Sequence, residues 1–408
     1  MTKMPPLLSV EKALAHVTAG LTPTGFEVVP IAHARGRVLA RDLAAERDQP
    51  AAATSAMDGY AVRGADVGAL PVTLKLIGAA PAGHAFAGKV GPGQAVRIFT
   101  GGTMPAGADA VVIQENTKTG DGTVSIVDGG AETRYVRPRG LDFSAGQVLL
   151  ETGKRLQPRH VALAAAMNFG EVTVWRRPRI GILATGDELA SPGTAGPGDI
   201  AASNTYGLMG LVEAMGGTAL NLGIARDTKA ALDEAFDSAT GLDLLVTIGG
   251  ASVGEYDLVA QVLGPRGLDL DFWRIAMRPG KPLMHGTFAD ASGKATRFIG
   301  LPGNPVSSLV CGQVFLKPML TALVGETARK SPLLRARLAV DLAANDRRQD
   351  YMRTTLEAGP DGLVATPFAR QDSSMLSNFS RADGFVVRPP HAPAAKAGTI
   401  VDVLPIDV

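Results

Sequence analysis

A single cysteine, Cys311, stands in 408 residues. No disulfide can therefore form within the chain, and a fold built for an oxidising compartment is not expected. Its neighbours Leu309, Val310, Gly312 and Val314 read as one face of a core helix, which makes Cys311 a small packed hydrophobe rather than a nucleophile. Net charge is nearly absent as well. Forty Lys and Arg face 39 Asp and Glu, leaving +1, so no global field would recruit nucleic acid or an anionic membrane, and any polyanion must be met by a local cluster. No uninterrupted apolar run approaches the roughly 20 residues that span a bilayer. The opening MTKMPPLLSVEKAL lacks the basic-then-apolar order of a secretory signal. A soluble cytoplasmic chain is the expectation. The six histidines, at 16, 33, 84, 160, 285 and 391, show none of the close spacings of zinc ligands.

What is present is apolar content, 46% of the chain, enough for real cores and against disorder. The length exceeds what one core usually organises, so two to four domains are expected. Val10, Ala13, Leu14 and Val17 recur at helical spacing. From about Leu43 to Gln147 the pattern turns to short β-rich runs (Val72 to Ile77, Ala110 to Ile113, Thr123 to Val127), and Thr119-Gly120-Asp121-Gly122 predicts a hairpin joining Val111–Ile113 to Val124–Ile126. Helical character returns at Pro158 to Met167, and Trp175-Arg176-Arg177-Pro178 reads as a linker. Strand, turn and helix then alternate: Ile180 to Ala184, Asn204 to Met215, Leu242 to Ile248, a helix with Leu258, Val259, Val262 and Leu263, then Arg297 to Gly300 and a long helix from Val306 to about Leu323. This order predicts a parallel sheet covered on both faces. After Gly325 the chain reads as a small β domain, with strands at Leu334 to Val340, Tyr351 to Leu356 and Gly384 to Val387.

In such a sheet, ligands bind beyond the carboxyl ends of the strands. Thr185-Gly186-Asp187-Glu188 follows the first strand and offers hard oxygen ligands for magnesium, or else acids favoured by the first turn of a helix. GGASVGEYD, Gly249 to Asp257, follows the second. Its glycines could turn amides toward an oxyanion, with Ser252 and Asp257 adding a hydroxyl and a carboxylate, or could simply make a turn. LPGNPVSS, Leu301 to Ser308, places Pro302, Asn304 and a serine pair at a helix start. FWRIAMRPGKP supplies Arg274, Arg278 and Lys281, cations for an anion or ordinary surface charge. In the β-rich region, SAMDGYAV presents Asp58 and FTGGTMPAGADAVV presents Thr100, either as hairpin turns or as a nest for a phosphate or pterin edge. Arg137-Pro138-Arg139-Gly140 with Asp142 could be a binding loop or a local salt bridge.

Together SAMDGYAV, FTGGTMPAGADAVV, TGDEL, GGASVGEYD, MRPGKP and LPGNPVSS resemble, in order and context, the molybdopterin molybdenumtransferase (MoeA) family, which includes the E-domain of gephyrin. The resemblance covers almost the whole chain. It implies a multidomain α/β plus β fold: a discontinuous linking domain (1–42 and 148–176), a β-rich domain (43–147), a molybdopterin-binding α/β domain (177–326) and a C-terminal β domain (327–408). It implies a homodimer that inserts molybdate into adenylylated molybdopterin with Mg2+, releasing AMP. Asp58, Asp142, Glu188, Asp227 and Asp257 would be catalytic, with Asp187, Glu188 and Asp257 on the metal. Thr100, Arg137, Thr185, Gly186, Gly249, Gly250, Ser252, Arg274, Arg278, Lys281, Pro302, Asn304, Arg353, Ser373 and Ser374 would bind substrate. Asp58, Thr100, Arg137 and Asp142 would arrive from the partner subunit. Positions 274 and 278 are arginine where many relatives carry lysine, which keeps the charge and changes the donor geometry. Molybdopterin adenylyltransferase and molybdoenzyme maturation proteins are the expected partners. The alternatives are adenylylation of molybdopterin itself and a gephyrin-like scaffold.

Overall fold

The computed structural model describes residues 7–250, 258–267, 269–327 and 333–406. Its largest sheet has six strands in the order Thr218–Ala225, Arg179–Thr185, Leu244–Ile248, Ala295–Leu301, Pro282–Ala289 and Asp269–Arg274. The first four are parallel. The last two add an antiparallel edge to the expected parallel core. Alternation along the central strands sends side chains to two separate cores. Ile180, Ile182, Leu244, Val246 and Ile248 join one cluster, while Leu183 and Leu245 join the other. The first cluster is closed by the helices Val10–Thr18, Ser203–Ala214 and Pro305–Cys311 with its continuation to Leu323. The second is closed by Lys229–Asp237 and Leu258–Leu263. Helix Val10–Thr18, placed by sequence with the linking domain, thus puts Val10, Ala13 and Val17 into the α/β core.

The segment Pro305–Leu323 is long and apolar enough to cross a membrane by composition. The sequence reading passed over it because Ser, Gly, Gln and Lys interrupt the run. Val306, Val310, Phe315, Met319 and Leu320 are fully buried inside the protein, as a core helix requires. Cys311 is buried with them, and burial drives its thiol far above the usual range, so it packs as expected and stays protonated.

Residues 29–45 and 143–174 share one core, in which Phe143, Leu39, Leu156 and Val174 are buried, so two stretches far apart in sequence are continuous in space. The β-rich domain is a six-stranded sheet ordered Ala110–Ile113, Gly59–Val62, Gln94–Ile98, Val72–Ala80, Thr123–Ile126, Thr117–Gly120. The hairpin turn falls where expected, but its first strand is Thr117–Gly120. Ala110–Ile113 instead pairs with Gly59–Val62. Both runs end the sheet, but Ala110–Ile113 is almost wholly buried where other parts of the chain cover its edge, whereas the polar TKTG run suits the exposed edge. At the C-terminus, the strands Gln349–Gly359, Gly362–Pro367, Leu334–Leu338, Ile400–Pro405 and Gly384–Arg388 pair in succession, and the last returns to the first to close a barrel. The short strand Met277–Arg278 of the α/β domain pairs in parallel with Gln349–Asp350 of this barrel.

Arg155 ties the linking domain to the α/β domain. It donates to Glu326 at 2.8 Å, to the Gly36 carbonyl at 3.0 Å and to the Met215 carbonyl at 2.9 Å. Arg155→Met should lower stability by about 2 kcal/mol, because two carbonyls and a carboxylate lose a charged donor. Chemical denaturation of the two proteins checks this, and an unchanged midpoint would contradict it.

Candidate active site

A cleft of about 1010 Å³ opens beyond the carboxyl ends of the parallel strands. Thr185, Gly186 and Glu188 line it from the first strand end, Asp227 from the sheet edge, and Gly249 and Gly250 from the central strand. Pro302, Gly303 and Asn304 come from the turn before the long helix, Arg278 and Lys281 from the Met277–Pro282 loop, and Arg348, Gln371 and Ser373 from the barrel. Ser252 and Asp257 lie outside the described residues. The string Gly250-Ala251-Ser252-Val253-Gly254 also has the spacing of a serine nucleophile elbow, but no histidine is among the cleft's lining residues.

The glycines act through close approach. Gly249 has φ +90°, and a Cβ there would sit 2.7 Å from the Thr185 carbonyl oxygen. Its N–H is already committed to the Leu301 carbonyl at 3.0 Å, and that of Gly186 to the Ala225 carbonyl at 3.2 Å. The Gly249 amide is therefore not the oxyanion donor that the sequence reading allowed, and the Gly186 amide is likewise committed. Thr185, buried at the strand end, donates to the Ile248 carbonyl at 3.4 Å and binds neighbouring strand ends together.

Asp187 and Glu188 lie in a turn that leads into the short strand Leu189–Ala190. No helix starts there, so the helix-dipole explanation for the two acids falls away. The Asp187 carboxylate accepts the Asp227 N–H at 3.2 Å, and the Asp187 carbonyl accepts from Arg226 at 2.7 Å. Burial, then the charges of Asp187 and Glu188, push the Asp227 carboxyl above its ordinary range. Three carboxylates thus crowd one end of the cleft. Among the described residues, no three His, Cys, Asp or Glu side chains converge tightly enough to hold an ion unaided.

The opposite wall is cationic and partly neutralised. Arg278 forms an ion pair with Asp350 and lies 3.8 Å from Asp346. The hydrogen bond that Arg278 donates to Asp350 raises the Arg278 pKa further. Lys281 is exposed to the cleft and has no ion pair among the described residues. Asn304 caps the helix with its backbone and donates its side-chain amide to the Ser373 hydroxyl at 3.1 Å. Ser373 in turn accepts the Val306 N–H through its carbonyl at 3.0 Å.

Other residues fall elsewhere. Arg353 is 1% exposed. It donates to Gln371 Oε1 at 3.0 Å and to the Asp372 carbonyl at 2.8 Å, and so holds the loop that carries Ser373 instead of facing the cleft. Ser374 closes a turn on Asp372 at 2.6 Å. Arg274 is half-buried on the antiparallel edge strand and does not line the cleft.

Asp58 and Thr100, far apart in sequence, do meet. The Asp58 carboxylate accepts the Thr100 N–H at 2.7 Å and its hydroxyl at 2.8 Å, and these bonds hold the carboxyl below the usual range. Arg137 is nearby, since Thr54 pairs with Arg137 on one side and bridges to Thr103 on the other. Asp142 is exposed, with its N–H on the Gln49 carbonyl. The salt bridge of this loop runs from Arg139 to Asp48 instead of to Asp142. None of Asp58, Thr100, Arg137 or Asp142 lines the cleft of its own chain.

Sequence reading missed Asn204, Arg348 and Gln371, whereas Ser307, singled out with Ser308 at the helix start, does line the cleft. Asn204 donates to the Gly303 carbonyl at 2.7 Å and fixes the Pro302–Pro305 turn. Arg348 and Gln371 sit in polar strings with no motif, and only the barrel's docking brings them to the site.

Residues 181–322 match the family described as the probable molybdopterin binding domain. Site and fold thus define the class: a multidomain protein carrying a molybdopterin-binding type of α/β domain. Residues 8–168 match the MoeA N-terminal region (domain I and II), and 335–406 the MoeA C-terminal region (domain IV). The chain is 35% identical over 391 residues to a molybdopterin molybdenumtransferase of Nostoc sp., covering 94% of this chain and 89% of the relative. It is 33% identical over 407 residues to that of Haemophilus influenzae, covering 98% and 99%. A crystal structure of the molybdopterin biosynthesis MoeA protein from Pyrococcus horikosii is similar with a TM-score of 0.84 at 32% identity, covering 99% and 100%. The chain belongs to the molybdopterin molybdenumtransferase (MoeA) family.

The raised Asp227 carboxyl has a measurable sign. A folded-state pKa above the unfolded value means that ionisation works against folding, so stability is lost as pH rises through the raised pKa. Asp227→Asn should melt higher than wild type at neutral pH, and the gap should close below the ordinary carboxylate pKa. Thermal melts across pH test this, and a lower melting temperature at neutral pH would contradict it.

Proposed function

We propose that this protein inserts molybdate into adenylylated molybdopterin with Mg2+, releasing AMP. The supporting observation is the division of one cleft into an acidic end, with Glu188 and Asp227 beside Asp187, and a basic wall, with Arg278, Lys281 and Arg348. A pyrophosphate and a tetrahedral dianion need cations and hydroxyls, and carboxylates are useful there only toward a metal. The acidic end fits magnesium in donor chemistry and in its excess of negative charge. Its described carboxylates would need phosphate oxygens, with Asp257, to complete a coordination shell. Asp187, Glu188 and Asp227 would hold the ion. When bound, it would neutralise the phosphate oxygens and ease the departure of AMP.

The remaining work falls to the chain itself. Lys281 and Arg278 place negative charge along the wall. Ser373, held by Asn304 and backed by Arg353, offers a hydroxyl at the barrel side. Close packing at Gly249 and Gly250 leaves room for the nucleotide beside Thr185. The match across the N-terminal and C-terminal MoeA regions favours insertion over adenylylation, which would be the preceding step and the source of the substrate.

A homodimer completes the site in this reading. Asp58 and Thr100 form a ready-made pair outside their own cleft, and Met57 and Phe99, their chain neighbours, are exposed apolar side chains of the kind an interface covers, as is Leu141 next to Asp142. Asp58→Ala or Glu188→Ala should abolish molybdate-dependent AMP release while leaving the fold intact by circular dichroism. Re-associating the two inactive variants should restore about a quarter of wild-type activity, because a symmetric exchange makes half the dimers mixed, each with one intact site. No recovery on mixing, with mixed dimers demonstrated, would contradict the shared site.

A further inference from the structure

Three arginines could meet an oxyanion on the barrel side of the cleft, and the structure separates them. Arg353 is buried and spends its guanidinium on Gln371 and Asp372. Arg278 is tied to Asp350. Arg348 lines the cleft with its side chain 30% exposed. Its Nε and NH2 donate to Asp346 Oδ2 at 3.1 and 2.6 Å, and its NH1 has no hydrogen bond among the described residues. The same Oδ2 lies 3.8 Å from Arg278, so one carboxylate sits between two guanidinium groups on the cleft wall.

The loop that presents Arg348 is fixed from behind. Asn345 donates its side-chain amide to the carbonyls of Arg348, Arg388 and Pro389 at 2.7, 3.0 and 2.8 Å. Asp346 Oδ1 accepts the Arg348 N–H at 2.8 Å. A guanidinium fork accepts a carboxylate and a tetrahedral oxyanion in the same way. Arg278, Lys281 and Arg348 are three cations against the two carboxylates Asp346 and Asp350, which leaves this wall short of negative charge.

We propose that Arg348 is a further oxyanion-binding residue of the site, and that Asp346 stands in for a tetrahedral dianion such as molybdate between Arg348 and Arg278 until one binds. The proposal rests on the molybdate-insertion reading for the identity of the anion. It makes opposite predictions for two neighbouring residues, which a merely structural loop would not.

The test is calorimetric titration of sodium molybdate into the full-length protein. Arg348→Gln should weaken binding about tenfold, the effect of losing a charge-assisted hydrogen bond. Asp346→Asn keeps the Oδ1 acceptor for the Arg348 amide but removes the competing charge, and should tighten binding about threefold, as expected for a partly exposed ion pair. Arg347→Gln, exposed and outside the cleft, should leave it unchanged and controls for net charge. Absence of molybdate binding by wild type, an unchanged Arg348→Gln, or an Asp346→Asn that fails to tighten would each overturn the proposal. AMP release by wild type is read separately. Its absence with molybdate binding intact would fault the insertion reading and leave the anion site standing.

Discussion

The cleft exists because a two-residue strand belongs to one domain by sequence and to another by pairing. Met277–Arg278 leaves the α/β domain and adds to the barrel alongside Gln349–Asp350. The Arg278–Asp350 ion pair locks the register. Asp350 is nearly buried while Arg278 is half exposed, so losing the arginine would strand a carboxylate in a poorly solvated position. The returning loop is seated as firmly. Gly280 passes so close to Cys311 that a Cβ would fall 2.5 Å from its sulfur, and Ile275 donates to the Lys281 carbonyl. Everything on the basic wall hangs from this junction: Arg278 and Lys281 on one side, Arg348 and Ser373 on the other.

Charge is sorted across the space that the junction creates. At the acidic end, burial and then the charges of Asp187 and Glu188 disfavour the ionised Asp227, and at the basic wall Arg278 and Arg348 are each held by a carboxylate. A surface selected only for stability would mix these charges. Keeping them apart costs stability in the empty site and returns it when a cation and an anion bind, which is how functional sites commonly depart from stability-optimal design. The glycines serve the same end by clearing volume. The amides of Gly186 and Gly249 are consumed by the strand ends, so electrostatic attraction there comes from side chains.

Much of this was legible in the sequence because local patterns report local structure. The alternation of apolar strands and helices from Ile180 to Leu323 carries a 2-residue and a 3.6-residue period, and both survive in the fold. TGDEL, Gly249-Gly250, MRPGKP and LPGNP fell at strand ends for the same reason, and Asp58 and Thr100 were singled out on motifs whose loops do meet. What failed was pairing at a distance. The TGDG turn was found but its partner strand was not, since both candidate runs fit a hairpin and only the sheet's burial chooses between them. The strands Asp269–Arg274 and Pro282–Ala289 were not anticipated, since the run from Phe272 to Pro282 was read only for its cations and its prolines. Arg353, expected at the ligand, is buried, and Arg348, five residues earlier and not singled out, lines the cleft, because only barrel closure decides which guanidinium is buried. Residues 29–45 and 143–174, largely assigned together by sequence, share a core, whereas the N-terminal helix assigned with them packs on the α/β sheet, because its apolar face says that it packs and not where.

The central claim is that one composite cleft, spanning the α/β strand ends and the barrel, receives the nucleotide-bearing pterin. Amide hydrogen exchange of the whole protein with and without adenylylated molybdopterin tests it most directly. Slowed exchange should appear together at residues 185–190, 277–282, 302–304 and 371–374, and at 57–59 and 99–101 if a partner subunit closes the site. Protection confined to the α/β segments, with the barrel loop and the Met277–Pro282 loop unaffected, would contradict it.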